Sequence, residues 1–398
     1  MYSIDKNYDI IVAGSGPAGA CAAMSAASGG RRVLLLERKP VPGVPVRCGE
    51  GIGHQGLALS FEPRPEWIKS TVTRARMLSP SGIGVEIGNV GKSYILDRER
   101  MDADLVKMAV EAGAEFRASS PAVWAGETSS GRYSVICSNN PNSPTEGQTE
   151  FEASCLILAD GVESRLARYF GWDTALRLED IETAAFARVE AAGIEGDCCT
   201  FYTGNSVAPG GYLWVFPRGA GAANVGLGVI GSRCRSGLPR KLLLDFIKRT
   251  YPGGRVTDLH CGGVPVAKWV RPLVRGAVML VGDAARQVNA INGAGLAYSL
   301  YAGRLAGTVA AGAFRGDGNL CRKALLGYQR EWAKVFGKQQ ERSFALKEFI
   351  MSADDAFLDR IADSLSKEPP GKLSYLRVFM RTFSSRPLLL LKAFKLFR

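Results

Sequence analysis

The segment Pro45-Val46-Arg47-Cys48-Gly49-Glu50-Gly51 places a thiol between a cation and a carboxylate. An adjacent cation lowers a thiol pKa, and a nearby carboxylate raises it. A free thiol, with an ordinary pKa of about 8.5, is mostly protonated at neutral pH. Cys48, alone or with Glu50 or a water beside it, could therefore hand over a proton. The plainer alternative is that Cys48 is a small residue that lets a loop pass a bound ligand. Farther along, Tyr212, Trp214 and Phe216 alternate in Tyr212-Leu213-Trp214-Val215-Phe216-Pro217. Alternate residues of a strand share a face, so these rings make a flat apolar wall, either for a hydrophobic ligand or packed on another sheet. A third set is Gly14-Ser15-Gly16-Pro17-Ala18-Gly19, followed eighteen residues later by Glu37. Its first glycine permits a tight turn, its second the close approach of a pyrophosphate, and its third the contact of helix with strand. Glu37 is placed for ribose hydroxyls, and an acid there disfavours the 2′-phosphate of NADP. His54 and His260 are the only histidines; a capping or structural role suits both better than catalysis.

These groups need particular elements to position them. Tyr8 to Ala13 reads as a buried strand, Pro17 to Ser28 as an Ala-rich helix, and Arg32 to Glu37 as a second strand ending in the acid. That β-turn-α-β order gives the glycines their meaning, because the helix N-terminus then faces the phosphates. Asp97 to Ala112 reads as a helix and Phe116 to Pro121 as a return strand. The polar stretch Ser138 to Pro144 turns a hairpin in an antiparallel meander. Cys155-Leu156-Ile157-Leu158-Ala159-Asp160-Gly161 returns to a parallel strand, and Val278 to Val281 delivers a second glycine turn, Gly282-Asp283. Residues 181–270 alternate short strands with Gly/Pro turns, apart from a helical pattern at 237–250, as expected of an antiparallel sheet. An Ala/Gly-rich helix follows from Gly293, and 323–398 is helical by pattern.

The chain has 398 residues, with 46% hydrophobic and 22% charged residues, which suits a globular protein of two or three domains. No stretch reaches the ~20 apolar residues that span a bilayer, and no leader pattern opens the chain, so an intracellular protein is expected. Nine cysteines without a Cys-x-x-Cys pair, and only two histidines, disfavour a metal site. The net charge of +12 favours anionic partners such as a membrane surface or an acidic protein; no nucleic-acid module accompanies it. The tail from Arg386 to Arg398 mixes Leu and Phe with cations, as a segment lying in a lipid interface does, or as a terminal helix docked on its own protein would.

The set Gly14-x-Gly16-x-x-Gly19, Glu37, Arg98, Asp160-Gly161 and Gly282-Asp283 resembles the para-hydroxybenzoate hydroxylase-like FAD flavoproteins. Within them, Pro209-Gly210-Gly211-Tyr212-Leu213-Trp214-Val215-Phe216-Pro217, the Cys48 loop, Asn224-Val225-Gly226-Leu227-Gly228 and Gly262-Gly263-Val264 resemble the geranylgeranyl reductases, especially the archaeal-type lipid enzymes. The likeness covers about residues 1–320. It implies an α/β fold, α+β overall: a Rossmann-like FAD-binding domain (1–60, 95–175 and 275–322) and an antiparallel-sheet substrate domain (61–94 and 176–274). Beyond the likeness, the pattern adds a C-terminal helical region (323–398), which either faces the membrane or docks on the protein itself. The likeness implies FAD against Gly14, Gly16, Pro17, Ala18, Gly19, Glu37, Arg38, Arg47, Cys48, Gly49, Arg98, Asp160, Gly161, Gly282, Asp283, Gly293, Ala294 and Gly295. Tyr212, Trp214 and Phe216 would face a prenyl chain; the proton would come from Cys48, helped by Glu50, or from a water beside it.

The implied activity is saturation of prenyl C=C bonds on lipids at the cytoplasmic membrane face, with electrons from NAD(P)H or ferredoxin. An aromatic-ring monooxygenase, a reductase of menaquinone or chlorophyll-type side chains, and a non-catalytic flavin-containing lipid or quinone carrier are the alternatives on the same fold. One departure stands out. Where related reductases carry Asp-Pro-x-x-Gly-x-Gly, this chain reads Asn289-Ala290-Ile291-Asn292-Gly293-Ala294-Gly295, without the proline and acid that would stiffen and charge the loop.

Overall fold

A computed structural model of the chain describes residues 6–87, 91–138, 147–351 and 353–368. The expected hairpin turn at 139–144 and the Leu/Phe-rich tail lie outside the described residues.

The first sheet is built on apolar runs too continuous for a solvated face. Its path runs Val274–Arg275, Val278–Leu280, Gln148–Leu158, Asn7–Ala13, Val33–Leu36, Glu115–Arg117. From Val278–Leu280 to Glu115–Arg117 every pairing is parallel, and Ile10 to Val12, Leu34 to Leu36 and Cys155 to Leu158 are buried, as parallel strands covered on both faces should be. The strand Gln148–Leu158 is long enough to pair twice along one edge. Its first half takes the antiparallel meander Ala122–Glu127 and Tyr133–Ser138; its last residues take Val278–Leu280.

Helices Pro17–Ser28 and Leu296–Gly312 pack so closely that a Cβ on Gly303 would overlap Ala18 O, and one on Gly307 would overlap Ala22 O. That long helix begins at Leu296, three residues after the glycine where the sequence pattern starts it. The residues between form a turn of their own.

The second sheet has seven strands in the order Arg255–Pro265, Ile181–Glu190, Ala222–Ile230, Tyr212–Pro217, Cys198–Thr203, Arg74–Leu78, Gly84–Ile87. It departs from the expected antiparallel sheet at one ladder: Cys198–Thr203 runs parallel to Arg74–Leu78, because the two come from distant segments and not from a hairpin. A small third sheet joins Gly51–Gly53, Ser93–Leu96 and Ile68–Val72. One face of the seven-stranded sheet packs Leu213, Val215, Val225 and Leu227 against the helix Leu238–Thr250. Its other face meets the Cys48 loop, at Trp214 and Phe216, and the 289–295 loop, through Tyr212. Beyond residue 325 come helices Leu326–Trp332, Lys338–Met351 and Asp355–Ser366. Buried Lys347 fastens the second of these to the sheet, donating to Glu179 O at 2.9 Å, Val266 O at 2.8 Å and Asp180 Oδ1 at 3.2 Å.

Candidate cofactor and substrate site

The nucleotide end is a cleft of about 240 Å³ lined by Gly14, Gly16, Pro17, Glu37, Arg38, Lys39, Arg47, Arg98, Asp160 and Gly161, among others. Gly14 has φ +105°, and a Cβ there would overlap Ala159 O. Gly16, by contrast, faces open space, the clearance a phosphate needs beside the first turn of Pro17–Ser28. Glu37 is buried and already braces the turn, accepting from Ser15 N at 3.0 Å, Ser15 Oγ at 2.8 Å and Lys39 N at 2.9 Å. A carboxylate accepts about four hydrogen bonds, which leaves it capacity for a ribose hydroxyl. Asp160 Oδ2 accepts from Leu166 N at 3.0 Å, while its buried Oδ1 has no partner. Burial raises the Asp160 pKa.

The second glycine turn meets the first. A Cβ on Gly282 would stand 2.8 Å from that of Ala18, and Gly282 N donates to Gln287 Oε1 at 2.8 Å. Asp283 is pushed up to about 6 by burial, with the Arg98 guanidinium opposing the rise. Arg98 is itself gripped by Asp102 through two bonds of 2.8 and 2.9 Å, so its fork is held by the protein. The loop after Asp283 gains order from its asparagines in place of the missing proline. Asn289 Oδ1 accepts from Ile291 N at 2.9 Å, Asn292 Oδ1 from Ala294 N at 3.1 Å, and Asn289 N donates to Ala294 O at 3.0 Å. These side chains copy turn geometry. Gly293, at φ +67°, and Gly295 beside Asp283 complete the loop, and Tyr212 Oη ties it to the sheet by donating to Asn292 O at 2.6 Å.

The loop holding Cys48 lies on the aromatic face. A Cβ on Gly49 would come within 3.2 Å of both Trp214 Nε1 and Phe216 Cε2. Glu50 adopts φ +68°, a left-handed conformation rare for a non-glycine residue. It is only 1% exposed, and its side chain shows what holds it there. Oε2 pairs with Arg218, whose side chain is 10% exposed, and accepts from Asn224 Nδ2 at 3.2 Å, while Oε1 is unpartnered. Asn224 also donates to Cys48 O at 3.0 Å and accepts from Trp214 Nε1 at 2.9 Å. Glu50 N donates to Cys48 Sγ at 3.2 Å. Burial raises the Cys48 thiol, against the nearby Arg98 cation and that N–H.

Tyr212, Trp214 and Phe216 do share one face, joined by Phe186 and Phe201. Phe201 lies 5.8 and 5.4 Å, centroid to centroid, from Tyr212 and Phe216. The strand between Trp214 and Phe186 carries Gly226, where a Cβ would overlap Trp214 and stand 2.6 Å from Phe186 Cβ. His54 bonds Tyr94 Oη through Nδ1 at 2.9 Å, and His260 packs on Phe186. Arg218, Glu182 and the bracing role of Asn224 are not marked in the sequence. Nothing in a lone arginine two residues past the aromatic run, or a glutamate opening a strand, marks it as buried.

The tight turn, the open space at Gly16, the ring of cations and the orphaned Asp160 oxygen fit FAD. Residues 9–43 match the FAD dependent oxidoreductase family, and residues 180–264 the geranylgeranyl reductase catalytic domain. A solved structure described as geranylgeranyl bacteriochlorophyll reductase-like, from Thermoplasma acidophilum, superposes with a TM-score of 0.88 at 29% identity, covering 98% of this chain and 99% of that one. The flavin-dependent brominase Bmp2 shares the fold, with a TM-score of 0.68 at 16% identity over 98% of this chain and 93% of its own. The molecule is thus an FAD-dependent oxidoreductase of the geranylgeranyl reductase class.

Whole-length relatives narrow this further. The digeranylgeranylglycerophospholipid reductase of Methanoculleus marisnigri is 37% identical, over 97% of both chains. That of Methanothrix thermoacetophila is 39% identical, over 94% of this chain and 96% of its own. The chain belongs to the digeranylgeranylglycerophospholipid reductase family.

Proposed function

We propose that this protein saturates the C=C bonds of geranylgeranyl chains carried by glycerophospholipids or their precursors. The observation that carries the reading is the aromatic face of Tyr212, Trp214, Phe216, Phe186 and Phe201, with the Cys48 loop packed against Trp214 and Phe216. It gives a flat apolar chain a wall on which to lie beside a flavin. Reduced FAD supplies a hydride when bound; the chain's own residues do the rest. Gly14 to Gly19, Glu37, Arg38 and Arg47 hold the nucleotide, and Arg98, Asp283 and the 293–295 loop hold the flavin end. Glu50, through Arg218 and Asn224, fixes the loop that aligns the alkene. The proton comes from a group on the chamber wall, and the Cys48 thiol is the candidate that the sequence singles out.

The electron donor is NAD(P)H, bound without a second dinucleotide fingerprint, or an acidic carrier such as ferredoxin, which the net charge of +12 suits. The same charge favours a peripheral position on the cytoplasmic face of the membrane; among the described residues no helix is long and apolar enough to cross it.

The test is anaerobic mixing of dithionite-reduced protein with a geranylgeranyl glycerophospholipid, read by mass. Successive gains of two hydrogens are expected. Gain only with menaquinone or chlorophyll-type side chains would move the acceptor; no gain with any prenyl acceptor would sink the reading. Oxygen uptake coupled to an aromatic substrate would replace it with a monooxygenase.

A further inference from the structure

Glu182 lies in the strand Ile181–Glu190, on the same face as Ala184 and Phe186 and so on the face that carries the aromatic wall. It is 6% exposed, and no described residue gives it a hydrogen bond or a close ion pair. Burying a carboxyl without partners is costly, yet the surrounding chain has been cleared to admit this one. A Cβ on Gly228 would stand 2.6 Å from Glu182 Oε2, and Gly211, across the strand, and Gly293, in the flavin-side loop, leave 3.7 and 3.9 Å. The carboxyl therefore lies between Gly228, in the sheet that carries the aromatic wall, and Gly293, in the loop braced by the asparagines.

We propose that Glu182 is the acid of the alkene reduction: its carboxyl proton goes to the alkene carbon that does not take the hydride. The proposal rests on the reductase reading above. The balance closes. The C=C π pair forms the new C–H bond to the proton of Glu182, leaving a carboxylate, and the other carbon takes a hydride from reduced FAD. The flavin is oxidised, the alkene reduced, and Glu182 regains a proton from solvent.

Two observations favour Glu182 over the groups of the Cys48 loop. Glu50 is committed to Arg218 and Asn224. The Cys48 thiol, raised by burial, holds its proton but gives it up reluctantly. Glu182 is pushed up to about 7 by burial, with Lys347 opposing, and an acid is most effective when its pKa lies near the working pH. The titratable groups facing it are Tyr212, from the strand Tyr212–Pro217, and Lys347, from the helix Lys338–Met351. Lys347 is already held by Asp180. The strands Ala222–Ile230 and Arg255–Pro265 and the 289–295 loop bring Gly228, Val264 and Gly293, which carry no charge.

The experiment uses the full-length, FAD-loaded protein as wild type, Glu182→Gln and Cys48→Ala. Single-turnover reduction of a geranylgeranyl lipid by the dithionite-reduced protein should slow ~100-fold or more in E182Q, the low end for loss of a general acid. Independently of turnover, infrared spectra of the oxidised protein should contain a protonated-carboxyl band that titrates across neutral pH, survives in C48A and is missing from E182Q. Should E182Q fail to load FAD, Glu182→Asp serves in its place, with the band and the rate profile displaced along the pH axis. An E182Q rate equal to wild type, or a neutral-pH spectrum without that band, overturns the proposal. If the wild type reduces no prenyl acceptor, the reductase reading fails too, and that result is distinct because it needs no variant.

Discussion

Glycines serve opposite ends in the two halves of this molecule. Around the nucleotide they bring backbone to backbone: Gly19 lies on Gly14 O, Gly303 on Ala18 O and Gly307 on Ala22 O. Across the seven-stranded sheet they make room for side chains, Gly226 for Trp214 and Phe186, and Gly228 for Glu182. The first use holds two helices and a strand at one separation whatever their sequence. The second shapes a chamber around particular groups. Obstacles made of backbone cannot yield, whereas a ring or a carboxyl can turn.

The sharpest way to break that contrast is a matched pair of glycine-to-alanine changes, and the larger effect belongs to the nucleotide half. In Gly303→Ala the new methyl meets Ala18 O and stands 2.9 Å from Cys21 Cβ. The helices Pro17–Ser28 and Leu296–Gly312 must separate, dragging the phosphate-binding turn away from Gly282. The cost should exceed the ~3 kcal/mol that bounds ordinary overpacking, with FAD content falling alongside the melting temperature. Retained FAD at near-wild-type stability would show that the helix contact is not what sets the cleft.

The next effect isolates the chamber by pH. Glu182 keeps its proton in the folded chain up to about pH 7, against 4.5 for the unperturbed group. Between those values the folded state binds more protons than the unfolded one, so stability falls as pH rises through that window. In Glu182→Gln this fall is absent, while Asp283, raised in the same sense, contributes equally to both proteins and cancels. The variant should therefore gain on wild type from about pH 4.5 upward, by at most ~3 kcal/mol above pH 7, from the free-energy equivalent of the shift. Denaturant midpoints across that range measure it, and parallel curves would remove the buried-acid account of Glu182.

The nucleotide half was the legible one. Gly14 to Gly19, Glu37, Asp160-Gly161 and Gly282-Asp283 could be read because backbone contact needs a fixed spacing within a few residues. The alternation of Tyr212, Trp214 and Phe216 also gave a shared face, since a strand has only two. What could not be read was which strands lay beside it. Glu182 meets Gly228 across a ladder of distant partners, and Arg218 meets Glu50 over more than 160 residues of chain. The parallel ladder of Cys198–Thr203 on Arg74–Leu78 was hidden for the same reason. Local pattern sets a residue's face, and only tertiary pairing sets its neighbours.

The matching change in the chamber should be milder. In Gly226→Ala the obstacles are the Trp214 ring and Phe186 Cβ, and the ring can tilt if its Nε1 releases Asn224. A loss of ~1–2 kcal/mol is expected for overpacking relieved by side-chain movement. FAD should be retained while turnover on prenyl lipid falls, because Asn224 also carries Cys48 O and Glu50. Loss of FAD equal to that of Gly303→Ala would erase the distinction between the halves.

The smallest effect probes the one bond that joins the wall to the flavin-side loop. Tyr212→Phe keeps the ring and its contacts with Phe201 and Trp214 and deletes only the hydroxyl that donates to Asn292 O. Asn292 is exposed, so water can take over the carbonyl, and the stability cost should be ~1 kcal/mol or less. The loop's own asparagine turns remain, so FAD content should hold. The change should appear in the reaction: with the loop freed from the wall, Gly293 no longer keeps a fixed distance from Glu182, and the rate of alkene reduction should fall by more than stability or lipid affinity. A variant that loses lipid affinity and keeps its rate would mean that the hydroxyl serves the substrate's seat and not the loop's.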